Sequence, residues 1–252
     1  MRLFAVLILL ALPAAALDLK LSGFYDLNRP ASLEYDPDFC GLWIANEGPE
    51  TILVTLDGHE LRRFGSDLSR IKAITLEGTD LLVADGNGSF QRLTKEGDPL
   101  GAPFRASEGW MDTEGLAIDA DGSLISVEDD PAFITWMTPA GEILRRIDGL
   151  ALHPPMTEPQ GIARDPRTGH LLVVDDWEGT NSLFEFDAEG RLLGTHDLIA
   201  YGRDPEGIAI RPGANQLFLA FDGGTRIAAF DYTPTTAPGL PPPKPGGDCA
   251  IS

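Results

Sequence analysis

The chain is short of several residue types, and each shortage excludes a class of protein. It has two cysteines in 252 residues. Two thiols cannot frame a disulfide-rich miniprotein, nor supply a four-cysteine zinc site. Basic side chains are scarce, 19 against 39 acidic ones, for a formal net charge of −20. So acidic a surface repels phosphate backbones, which excludes nucleic acid as a partner. Past the first residues no apolar run approaches the roughly 18 residues needed to span a bilayer, so the mature chain reads as soluble, with no transmembrane segment. The four histidines, His59, His153, His170 and His196, are scattered, and His59 and His170 fall in turns where a lone histidine is usually solvated. There is no Gly-x-Ser-x-Gly elbow, no phosphate-cradling glycine loop and no continuous EF-hand loop. No extended stretch has helical periodicity. What the chain does have is glycine (28), proline (20) and 43% hydrophobic residues, enough to build a core.

The ends differ from the middle. Arg2, the apolar run from Phe4 to Leu12 and the small residues Ala14, Ala15 and Ala16 read as a signal peptide over 1–16, which implies a periplasmic or secreted protein. Its removal leaves 39 acids against 18 bases. Residues 233–252 form a tail centred on Pro241, Pro242 and Pro243, a composition that favours extended polyproline structure lying on a surface. The last four residues superficially match a prenylation box, but an exported protein never meets cytosolic prenyl transferases.

Residues 17–232 repeat one plan five times: an apolar strand, a polar turn and a second apolar strand. The first strands start near Ala31, Arg70, Glu114, Gln160 and Glu206, and their partners near Leu42, Leu81, Leu124, Leu171 and Leu217. The turns carry Asp36-Pro37, Asp121-Gly122, Asp165-Pro166 and Pro212-Gly213, which suit tight-turn dihedrals. A third strand, a glycine turn (Gly58, Gly97, Gly141, Gly190) and a fourth strand follow, with those glycines 39, 44 and 49 residues apart. Units of this kind are propeller blades, each burying its faces against its neighbours. The fifth unit stops after three strands near Tyr232, and Asp18–Tyr25 stands unpaired before the first. The expected fold is therefore an all-β, five-bladed propeller of four-stranded blades closed by the N-terminal strand. Six blades is the alternative, with a weak blade hidden in the N-terminal segment or between Arg145 and Pro159.

Alternating strand directions put the start of strand one and the end of strand two on one face, the top, and the Asp/Pro and glycine turns on the bottom. The top then collects Arg70, Glu114, Gln160 and Glu206 with Asn46, Glu47, Asp85, Glu128, Asp129, Asp175, Asp176 and Asp222. Candidate ligand-binding residues are Arg70, Glu114, Gln160, Glu206, Asn46 and Asp85. Candidate metal ligands are Glu128, Asp175 and Asp222, an all-oxygen set that suits Ca²⁺ better than zinc or copper. Glu114 and Glu206 are candidate catalytic carboxylates. Arg70, Lys72 and Arg203 are placed to offset some of this charge. Trp110 and Trp177 fall in top loops as a stacking surface, whereas Trp43 and Trp136 read as core. Cys40, in a bottom turn of the first blade, and Cys249, in a tail that leaves the last blade at the bottom, are expected to pair, because those blades are neighbours in a closed ring.

The order of motifs, with Ser32-Leu33, Asp112-Thr-Glu-Gly-Leu-Ala, Pro159-Gln-Gly-Ile-Ala and Asp204-Pro-Glu-Gly-Ile-Ala, resembles the SdiA-regulated (YjiK-like) family of exported bacterial propellers. The Asp-x-Glu-Gly-(Leu/Ile)-Ala pattern is also similar to the esterase-like-activity-of-phytase family, and more broadly to NHL and SMP-30-type propellers. The resemblance covers about residues 20–232 and implies a propeller fold. Two functions stay open. One is an envelope propeller that binds a small ligand, a cation or a protein partner at its acidic top face. The other is a metal-dependent, phytase-like hydrolase of phosphoesters, esters or lactones, in which bound Ca²⁺ activates water and Glu114 or Glu206 acts as base. A ring sealed by its own strand leaves no open edge, so a monomer is expected.

Overall fold

The computed structural model describes residues 17–27, 30–109, 111–222, 226–235 and 249. The signal peptide expected over 1–16, most of the tail and Trp110 lie outside the described residues. Among the described residues, twenty strands form five four-stranded antiparallel sheets. The first strand among the described residues, β1 (Asp18–Asp26), is set apart from the next four. Blade one is β2 (Ser32–Asp36), β3 (Gly41–Ala45), β4 (Glu50–Thr55) and β5 (Glu60–Gly65). Blade two is β6 (Ala73–Glu77), β7 (Asp80–Ala84), β8 (Ser89–Leu93) and the two-residue β9 (Phe104–Arg105). Blade three is β10 (Thr113–Ile118), β11 (Leu124–Glu128), β12 (Phe133–Met137) and β13 (Ile143–Asp148). Blade four is β14 (Pro159–Arg164), β15 (Leu171–Asp175), β16 (Ser182–Phe186) and β17 (Leu192–Asp197). Blade five has β18 (Pro205–Arg211), β19 (Gln216–Phe221) and β20 (Arg226–Thr233), and takes β1 as its outer strand.

The five-blade expectation holds, and no sixth sheet occurs among the described residues. Between β13 and β14 the chain makes only one short 3-10 turn, Gly149–Ala151, with the Asp148 side chain accepting from the Leu150 amide. The ring is sealed as expected: β1 runs antiparallel to β20, from Asp18 opposite Thr233 to Asp26 opposite Arg226.

Strand patterning explains this architecture. Second strands such as β3, β11 and β15 are buried along their whole length, because a neighbouring blade covers each face. Outer strands such as β17 alternate between exposed and partly buried, because one face meets solvent. The core is accordingly five interfaces and not one centre. Leu42 and Ile44 of β3 pack against Phe218 and Ala220 of blade five, whereas Trp43 and Ala45 pack against Ile74 and Leu81 of blade two. Leu172 and Val174 face blade five, and Leu171 and Val173 face blade three. This two-residue alternation lets a single strand serve two interfaces.

Cys40 and Cys249 form a disulfide with Cα atoms 5.0 Å apart, closing a separation of 209 residues. Cys40 sits in the β2–β3 turn in the left-handed region (φ 50°). The bottom turns also carry carboxylates, Asp36 and Asp165 buried and Asp119 partly so, each matched by a base and a ring-bearing donor. Asp36 accepts from Trp43 Nε1 (2.8 Å) and Lys95 Nζ (2.9 Å). Asp119 accepts from Trp136 Nε1 (3.0 Å) and pairs with Arg164 (3.1 Å). Asp165 accepts from Tyr232 (3.1 Å) and Arg167 (2.7 Å). Trp43 and Trp136 are core residues, as expected. His170 bonds Glu185 (2.9 Å) on this same face.

Candidate functional site: the acidic mouth of the top face

The top of the central channel is built by a shared irregularity. The β10–β11 ladder slips between Thr113 and Gly115, β14–β15 between Pro159 and Ile162, and β18–β19 between Pro205 and Ile208. Glu114, Gln160 and Glu206 thus leave their ladders at equivalent bulges, a device that re-aims side chains. The glycine that follows each one has a separate reason. A Cβ on Gly115 would lie 2.5 Å from the Gln160 carbonyl oxygen, one on Gly161 would overlap the Glu206 carbonyl, and one on Gly207 would lie 3.0 Å from the Ala31 carbonyl. The Glu/Gln-Gly dipeptide therefore couples a mouth side chain to the closest approach between inner strands.

Carboxylates meet there in three groups whose oxygens lie within 4.8 Å of one another: Asp112, Glu114 and Asp129; Asp176, Glu178 and Asp204; and Asp204, Glu206 and Asp222. The first group carries its own counter-charge, since Lys72 ion-pairs with the buried Glu114. Burial and the neighbouring Asp129 carboxylate raise Asp112 to about 6. On the other side, burial raises Glu206 to about 8, and the charges next in weight, Asp204, Glu47, Asp176 and Asp222, are all carboxylates. Burial, with Glu178, Asp204 and Glu158 adding to it, also raises Asp176 to about 7. Asp204 is raised by burial, Glu178 and Asp222. Asp204 (φ 62°) and Glu47 (φ 61°) both hold left-handed backbone that non-glycine residues rarely adopt. Asp204 is fixed there by Asn181 Oδ1, which accepts from its amide (3.1 Å), and by the Asp222 amide, which donates to its carbonyl (3.1 Å).

The sequence candidates divide accordingly. Glu114, Glu206 and Asp222 belong to these groups, and Gln160 occupies the equivalent bulge between them, 7% exposed. Glu128 bonds Thr135 and lies 3.9 Å from Arg146 within its own blade. Asp175 accepts from the Thr157 and Glu158 amides (2.9 and 2.7 Å) and from the amide and hydroxyl of Thr180 (2.6 Å each). Neither is brought into the carboxylate groups. Arg70 pairs with Glu47 at the rim, and the Asn46 side chain accepts from the Gly48 amide (3.3 Å). Asp85 caps the β7–β8 turn through the Asn87 and Ser89 amides and lines a separate groove of about 330 Å³ with Asp67, Ser69 and Arg105. Trp177 is exposed at the rim, with the Arg203 guanidinium 4.0 Å from its ring centre. Asp112, Asp204 and Glu178 were missed. For the first two a signal existed, because Asp-x-Glu-Gly places Asp and Glu two apart, on one side of an extended chain.

No protein family and no curated protein sequence matches the chain. Solved structures do. A glutaminyl cyclase from Myxococcus xanthus superposes with a TM-score of 0.68 at 13% identity, over 85% of this chain and 96% of that one. A protein of unknown function from Bacteroides caccae gives 0.53 at 14% identity, over 76% and 70%. The virginiamycin B lyase of Staphylococcus aureus gives 0.52 at 18% identity, over 80% of this chain and 65% of that one. The fold is a five-bladed β-propeller. Such likenesses fix architecture, and chemistry must be argued from the mouth itself.

Proposed function

We propose that this protein is an exported, monomeric β-propeller, akin to the SdiA-regulated propellers, that binds a divalent hard cation at Asp204, Glu206 and Asp222 and through it a small oxygen-rich ligand. The observation that carries the reading is the one-signed surroundings of Glu206. A half-buried carboxyl whose strongest charge interactions are all with other carboxylates is stabilised by losing its charge or by gaining a cation. Ca²⁺ is the fitting ion: it takes carboxylate oxygens at roughly 2.3–2.6 Å, so its ligand atoms stand up to about 5 Å apart. The donor set holds no histidine or thiolate, which disfavours zinc and copper. Such an ion would offset the charge and polarise a bound oxygen. A hydrolase of esters, lactones or phosphoesters would use this same mouth, with Glu114 or Glu206 as base.

A second reading has its own support, the near-complete superposition on a glutaminyl cyclase together with a carboxyl still protonated near neutral pH. In that reaction the α-amine of an N-terminal glutamine attacks its side-chain carboxamide carbon, the new C–N bond forms and ammonia leaves. An acidic mouth would attract the peptide's ammonium, and Glu206 would hand its proton to the departing nitrogen.

Thermal unfolding with and without Ca²⁺ tests the first reading. A rise in midpoint is expected for the wild type and for Glu128→Gln, and none for Glu206→Gln or Asp222→Asn. No response in the wild type overturns it. Ammonia release from glutaminyl peptides without any metal effect would favour the second reading.

A further inference from the structure

The disulfide is chemically lopsided. On one side, Arg211 of β18 places its Nη2 atom 2.8 Å from Cys249 Sγ, and the hydroxyl of the buried Tyr35 lies 3.7 Å from that sulfur. On the other side, Cys40, half-buried like Cys249, follows Phe39 in a turn whose Pro37 and Asp38 are exposed. The two carboxylates of that turn share one lysine, which offsets half of their charge: Lys95 Nζ lies 2.9 Å from Asp36 and 2.7 Å from Asp38. An incoming anion therefore meets less repulsion at Cys40 than the acidic composition implies.

We infer that the Cys40–Cys249 bridge is a directional thiol-exchange site, at which a low-molecular-weight thiol adds to Cys40 and Cys249 is expelled as the thiolate. The incoming thiolate attacks Cys40 Sγ in line with the S–S bond. A new S–S bond forms to Cys40, the old one breaks, and its electron pair leaves on Cys249 Sγ, where the Arg211 guanidinium stabilises the charge. One disulfide is exchanged for another, so there is no net oxidation. A cation beside a sulfur lowers its thiol pKa, and the sulfur of lower pKa leaves faster. The propeller does not depend on this bond for closure, because β1 and β20 seal blade five through their own ladder. Exchange thus detaches the C-terminal end from blade one and leaves the ring shut.

Glutathione is the probe. The folded protein is incubated with reduced glutathione, trapped with N-ethylmaleimide and mapped by peptide mass spectrometry. Glutathione is expected on Cys40 and maleimide on Cys249, in about tenfold excess over the reverse pattern. Arg211→Gln should slow cleavage about fivefold and even out the two patterns, whereas Arg211→Lys, which keeps the charge, should retain the preference. Far-UV circular dichroism of the exchanged protein should match the starting protein. Glutathione mainly on Cys249, a preference unchanged in folded Arg211→Gln, or loss of strand signal on exchange would each overturn the inference.

Discussion

Replacing Glu206 with glutamine should make the metal-free protein more stable in alkaline solution, although the change removes a charge from the proposed binding site. Burial and four carboxylates lift Glu206 from 4.5 to about 8 in the folded state. Between those values the folded chain holds a proton that the unfolded chain has released, so stability falls as pH rises, and the loss is complete above about pH 8. At ~1.4 kcal/mol per pKa unit the ceiling is about 5 kcal/mol. Screening by salt and adjustment of neighbouring side chains reduce this to roughly 2–3 kcal/mol. Glutamine keeps the shape without the charge and escapes the penalty. Asp176 and Glu34, each raised to about 7 by burial above all, add slopes of the same sign in both proteins. The wild-type-minus-variant difference therefore removes the Glu34 slope and reports Glu206 together with its coupling to the surrounding carboxylates. Urea unfolding followed by tryptophan fluorescence, in chelator, at about pH 5 and about pH 8.5 measures it. The two proteins should differ little at the lower pH, and the variant should gain at least ~2 kcal/mol at the higher. A constant offset at both values, or a variant weaker only at the higher pH, would refute the reasoning.

Other consequences can be checked in the same way. Gly161→Ala drives a methyl into the Glu206 carbonyl at the blade-four to blade-five junction and should cost about 3 kcal/mol, whereas Gly194→Ala on β17 meets nothing within 4 Å and should stay within about 0.5 kcal/mol of wild type. Lys72→Met leaves the buried Glu114 uncompensated and should cost about 3–5 kcal/mol by denaturant unfolding, with most of it recovered in the Lys72→Met/Glu114→Gln double variant. Deleting residues 17–26 strips blade five of its outer strand and should abolish the cooperative transition, read by calorimetry.

Much of the architecture was legible, because each blade writes the same order of strand, polar turn and strand. The closing strand was legible from a deficit: three strands after Glu206 and one spare strand before Ser32. The cysteine pairing followed from the same ring. The mouth was legible only in part. Strand two ends in acids in most blades, but whether such an acid faces the channel depends on donors that other segments provide. Asp175 is satisfied by Thr157, Glu158 and Thr180, and Glu128 by Thr135, none of which a reading of their own strands reveals. Blade two shows the same limit. Its ladder begins with the Lys72 amide bonding the Ala84 carbonyl (2.9 Å), so Lys72 reaches Glu114, and Arg70 stays at the rim. At the bottom, acids face Lys95, Arg164 and Arg167; around Glu206, Asp176, Asp204 and Asp222 face one another, and among the described residues Glu47 alone of the four ion-pairs with a base, Arg70 at the rim. That contrast between faces is invisible to net charge.

Calorimetric titration of Ca²⁺ into the metal-free protein tests the central claim most directly. Saturable binding is predicted for the wild type and for Glu128→Gln, and it should vanish in Glu206→Gln and in Asp222→Asn. No binding heat in the wild type, or binding that survives both of those substitutions, would contradict the account.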